Sequence, residues 1–274
     1  TTSGTASSCE ILSGTPKEQC ITDAARGLKD PSLCAGLKIT TDALDYRNNC
    51  YTLVAIDTNK TVTCLEINFT EVRDSCINVV SSNNLLEGGC LLISDITLKE
   101  TCLSAVATGL KNSAICEKIT TKATHDECIK NSAVAAGNSS AACDPIIDAT
   151  TRDACYSDLS ILLTDKTICD KIVTQSEKNE CVVSIATALN DWQYCLKVSS
   201  SRPDIEQDCL TTIAGKTGST KPCESIPDQT NKGLCYAKAG LTSSDFDLCS
   251  SVPLKQVKDQ NDAHLARDTC WNYM

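Results

Sequence analysis

Cysteine is the residue type with most capacity for chemistry in this chain: 20 of its 274 residues are cysteine, against only 2 histidines. Thiols at such density can ligate metal, carry electrons, attach haem or form disulfides, and spacing separates these uses. Zinc sites take cysteines two to four residues apart, and covalent haem needs C-x-x-C-H; neither spacing occurs here. What remains is a disulfide framework made in an oxidising compartment.

The other reactive types add little. His125 and His264 lie in different parts of the chain and read as solvated helix residues. The chain contains no P-loop and no G-x-G-x-x-G. The acidic pairs Asp245/Asp247 and Asp144/Asp148 lack the calcium-loop pattern and read as helix caps. No catalytic residue, cofactor or metal ligand is therefore assigned, and the expectation is a protein that is not an enzyme. Three triplets fit the N-glycosylation acceptor, at Asn59 (NKT), Asn68 (NFT) and Asn138 (NSS), all near expected helix ends.

The elements that must position the cysteines follow from their periodicity. They fall at alternating steps of mostly 12 and 14 residues, a repeat of about 26. Ten units result, led by Cys9, Cys34, Cys64, Cys90, Cys116, Cys143, Cys169, Cys195, Cys223 and Cys249. Their trailing partners are Cys20, Cys50, Cys76, Cys102, Cys128, Cys155, Cys181, Cys209, Cys235 and Cys270. An aliphatic residue stands three places after every leading cysteine, from Leu12 and Leu37 to Ile226 and Val252. Four places before it stands a capping residue in most units: Thr5, Asp30, Asn112, Ser139, Asp165, Asp191, Ser219 or Asp245. Such side chains accept from the free N–H groups of a first turn, so a helix of two to three turns is expected around each leading cysteine.

A second helix is expected around each trailing cysteine. Five places before it lie Thr15, Asp45, Thr97, Thr150, Ser176, Asp204 and Thr230, read as N-caps. Thr15 with Glu18, Thr97 with Glu100 and Asp204 with Gln207 read as capping boxes. The residue after the trailing cysteine is apolar in every unit, from Ile21 to Trp271, and the fourth on is apolar in most. Those positions share one helical face with the cysteine. The fold class expected is all-α: an α-solenoid of ten helical hairpins forming one domain over 1–274.

Two disulfide frameworks fit the spacing. Pairing within units uses every cysteine, whereas pairing each trailing cysteine with the next leading one strands Cys9 and Cys270. In Cys169–Cys181 the expected helix break near Thr174 lies about midway, which sets the two cysteines side by side on antiparallel helices. Within-unit pairing is therefore expected, and each short loop it closes stabilises by about 3 kcal/mol in the chain-entropy model.

Net charge is −10, which argues against nucleic acid because phosphate binding needs clustered Lys and Arg. No run approaches the roughly 18 apolar residues of a membrane span. The start at Thr1, without initiator Met or leader, reads as a mature exported form. In architecture the chain resembles α-solenoids built of helical hairpins, such as the tetratricopeptide and Sel1-like families. It lacks the tetratricopeptide Trp, Leu-Gly and Tyr positions and has a shorter unit, so no residue roles carry over. The last unit ends in the aromatic pair Trp271 and Tyr273 and reads as an assembly surface. The function expected is an extracellular structural repeat protein that associates head to tail into a filament or layer. The alternative is a secreted or surface-displayed binding scaffold.

Overall fold

The computed structural model describes residues 6–38, 45–251 and 260–273. Among them every regular element is helical and no strand occurs. Ten long helices carry the trailing cysteines: α1 (Thr15–Leu28), α2 (Tyr46–Thr58), α3 (Thr70–Asn84), α4 (Ile96–Leu110), α5 (Lys122–Ala136), α6 (Ala149–Leu163), α7 (Gln175–Leu189), α8 (Pro203–Thr217), α9 (Gln229–Ser243) and α10 (Gln260–Tyr273). Ahead of each lies a short turn that carries the leading cysteine, such as Pro31–Gly36, Thr61–Cys64 or Lys166–Lys171. Five of them are six-residue 3-10 helices of two turns, at the lower end of the two to three turns expected, and the other five are four-residue turns that fall short of it. The aliphatic residue after the leading cysteine ends them early. In nine units its N–H donates to the carbonyl of that cysteine, as Ile119 does to Cys116 at 2.9 Å.

All ten disulfides join cysteines of the same unit, with Cα atoms 5.5 to 5.9 Å apart. The chain divides into two compact units, Thr1–Ala136 and Gly137–Met274, each holding five hairpins. Within the first, α1 to α4 each pack on the following long helix; within the second, α6 to α9 do the same. The buried stripe is the expected one. Every cysteine but Cys20 is buried, and Tyr51, Ile77, Leu103, Val182 and Leu210 sit under the next layer. Trp271 is the exception at that position and is exposed. The residue five places after the trailing cysteine is small and buried in nine units: Ala25, Ala55, Ser81, Ala107, Ala133, Ser160, Ala186, Ala214 and Gly240. A side chain of that size lets neighbouring layers approach closely.

Each of the helices α1 to α9 stops nine residues after its cysteine, at a residue with left-handed backbone: Lys29, Asn59, Leu85, Lys111, Gly137, Thr164, Asn190, Gly218 or Ser244. The next N–H then reaches back to the carbonyl of the small residue in most of them, as Asn112 does to Ala107 at 2.9 Å. This bond satisfies an orphan carbonyl at the helix end and turns the chain toward the next leading cysteine.

Candidate functional site

The leading caps are as expected where the structure describes them in full. Asp30, Asn112, Ser139, Asp165 and Asp245 accept the N–H two residues on, at 2.9 to 3.2 Å. Ser219 accepts from Lys221 over a longer 3.4 Å. Asp191 makes no cap bond and pairs instead with Lys166. Thr5 and Val252 lie outside the described residues.

The trailing caps are corrected. Only Asp45 caps from five places before the cysteine, accepting from Arg47 and Asn48. Elsewhere the cap lies two residues earlier, or one at α1, where it is Gly14. Asp95, Asp148 and Asp228 are the capping side chains, accepting from Leu98, Thr151 and Asn231. Thr97, Thr150, Ser176 and Thr230 therefore lie in the first turn, as do Thr15 and Asp204. A threonine two places past an aspartate obeys the same sequence preference, and the aspartate is the stronger acceptor.

Glu100, expected as the capping-box partner of Thr97, has a different task. Glu100 Oε1 accepts the N–H groups of Thr120 and Thr121 at 2.8 and 3.0 Å and the Thr120 hydroxyl at 2.7 Å. Those residues form the entry to α5, in the next hairpin. Asp74 Oδ2 accepts from Ser94 and Asp95 at the entry to α4, both at 2.9 Å. Asp153 accepts from Val173 and Thr174, and Asn179 from Ser199. Each stands two places before its trailing cysteine, is buried, and reaches 20 or 21 residues along the chain. Asn48 and Asp126 hold the same register and are buried too. This position is an acid or amide in every unit but one, where it is Gly233, so the signal was present in the sequence.

Burial of Glu100 alone would raise its pKa. The Thr120 and Thr121 hydrogen bonds outweigh that and bring it down to about 2. Burial works against Asp153 in the same way, and the bonds from Thr174 and Val173 again win, lowering its pKa. These carboxylates are held ionised as acceptors for backbone N–H groups.

The remaining candidates are dispersed. His125 lies beside its neighbour Asp126, with Nδ1 3.1 Å from Oδ1, and 3.9 Å from Glu117. The side chain of His264 lies outside the described residues. Tyr156 donates to Asp144 at 2.6 Å under the ammonium of Lys171, and burial, then Asp144, push its pKa up to about 12. Among the described residues no group of three His, Cys, Asp or Glu could hold a metal ion, and no helix is long and apolar enough to cross a membrane. An open groove of about 280 Å³ lies along α2 and α3, lined by Thr52, Glu71, Val72, Ser75, Cys76 and Val79. Asn59, Asn68 and Asn138 are all exposed. Trp271 and Tyr273, on α10, expose 46% and 52% of their surface.

Comparison with protein-family models, curated proteins and solved structures gave no match in any of the three.

Proposed function

We propose that this chain is an extracellular structural subunit that self-associates into a filament or surface layer, with Trp271 and Tyr273 at the contact. The observation that carries the reading is how the repeat employs its buried ionisable groups. Glu100, Asp74 and Asp153 are committed to backbone N–H groups of the following hairpin, and every cysteine is closed in a disulfide. Side chains that chemistry would need are thus engaged in holding successive layers together. Ten disulfides point to an oxidising environment. Two aromatics half open to solvent near the end of one helix supply apolar area of the kind that anchors a protein contact.

Electron microscopy of the protein purified without reductant tests this. Fibres or sheets are expected, and Trp271→Asp combined with Tyr273→Ser should reduce them to single molecules. Single molecules of the unmodified protein at all concentrations would contradict self-association. They would favour the second reading, a binding scaffold, which the open groove along α2 and α3 supports.

A further inference from the structure

Exposed apolar side chains gather in the fourth hairpin, at Leu86, Leu91, Leu92 and Ile96, and in the third, which of the two alone carries glycosylation triplets. The place two residues before the leading cysteine holds Ser7, Ser32, Gly88, Ala114, Ala141, Thr167, Gln193, Lys221 or Asp247, but here it holds Val62. The place that caps the long helix with aspartate in three units holds Phe69. Leu65 and Val72 complete the set. Val62, Leu65, Phe69 and Val72 expose 61%, 48%, 44% and 41% of their surface within eleven residues of chain. A patch like this on a secreted protein is an association or aggregation liability unless something covers it.

The same segment carries two of the three glycosylation triplets, one at each end. Asn59 ends α2 in the left-handed conformation (φ 56°), just before the turn that bears Val62. Asn68 lies between Ile67 and Phe69, just before α3. Both are exposed, and among the described residues neither side-chain amide makes a hydrogen bond. Asn138, by contrast, has no exposed large apolar side chain within eight residues on either side.

We propose that Asn59 and Asn68 carry N-linked oligosaccharides that lie over Val62, Leu65, Phe69 and Val72 and keep this face from associating. The inference rests on the reading that the chain is exported. In the modification each asparagine amide nitrogen bonds to the anomeric carbon of a lipid-pyrophosphate-linked oligosaccharide, loses one proton, and releases the lipid pyrophosphate. Thr61 and Thr70 provide the hydroxyls that the acceptor triplet requires. Sugars offer a hydrated surface on one side and apolar ring faces on the other, which suits a cover over aliphatic and aromatic side chains.

The test is secretion from a eukaryotic host, with intact mass and peptide mapping before and after peptide-N-glycosidase, which converts each occupied asparagine to aspartate. Conversion at both 59 and 68 is expected. In the Trp271→Asp, Tyr273→Ser background, which removes the self-association proposed above, enzymatic removal of sugar from the folded protein should raise the mass by light scattering about twofold or more, as for a dimer. Asn59→Gly with Asn68→Gln should behave the same way, glycine being at ease at the positive φ of residue 59. Asn138→Gln should leave the scattering mass unchanged. A secreted, fully disulfide-bonded chain with unmodified Asn59 and Asn68 would overturn the proposal and leave the export reading intact. So would deglycosylated protein that scatters as before. Retention in the cell with free thiols would overturn both.

Discussion

Glu100 and Asp153 stay ionised inside the protein because backbone N–H groups at the next helix entry replace the water they lose on folding. Removing the Glu100 carboxylate deprives two N–H groups and a hydroxyl of their acceptor at once, a larger loss than a single hydrogen bond. Glu100→Ala should therefore lower stability by about 2–3 kcal/mol in guanidinium unfolding. Glu100→Gln, which keeps one carbonyl oxygen, should cost clearly less. The sign of the pH dependence follows from the direction of the shift. A carboxyl whose folded pKa lies near 2, below its ordinary 4.5, contributes stability that is complete above pH 4.5 and lost as pH falls toward 2. The unfolding midpoint should be level from about pH 5 to 7 and decline below about pH 4.5. A midpoint unchanged down to pH 2 would mean that the carboxylates do not hold the hairpins together. Glu100→Gln should flatten part of the decline.

Among the elements, conserved and variable lengths separate cleanly along the chain. Every step from a trailing cysteine to the next leading one is 14 residues except Cys128 to Cys143, which is 15. That stretch contains the helix end, the left-handed residue and, in most units, the bond back to the small residue, so its geometry admits little slack. The stretch inside each disulfide ranges from 11 to 21 residues, and its loop absorbs the difference. Two serines inserted between Val173 and Thr174 should thus cost about 1 kcal/mol, the loss of one hydrogen bond at Asp153. The same insertion between Leu163 and Thr164 should cost several times more, as judged by thermal melting. Thr164 is β-branched, exposed and left-handed at φ 54°, so Thr164→Gly should raise stability by about 0.5–1 kcal/mol.

The hairpins, their stripe and the leading caps were legible in the sequence because side-chain period and capping preference are local properties. The caps at Asp95 and Asp148 lie two residues ahead of where the sequence puts them because Thr97 and Thr150 satisfy the same local preference. The task of Glu100 was hidden for a different reason. Its partners lie in the next hairpin, and only the stacking of layers brings them within reach.

For the whole molecule, each hairpin closes its own disulfide, and the third, fourth, sixth and seventh grip the entry of the next through a buried acid or amide. Stability in such a chain is a sum of unit terms and nearest-neighbour terms. The ten staples supply the first and the polar grips a share of the second. This combination suits a structural part exposed to harsh surroundings. The claim beneath it is that the chain forms ten self-closed hairpins in an oxidising compartment. Peptide mapping of the secreted protein by mass spectrometry without reduction tests that most directly. The account predicts ten pairs, from Cys9–Cys20 to Cys249–Cys270, each within one unit, and no free thiol. A bridge between two units, or cysteines recovered as thiols or bound to metal, would contradict it.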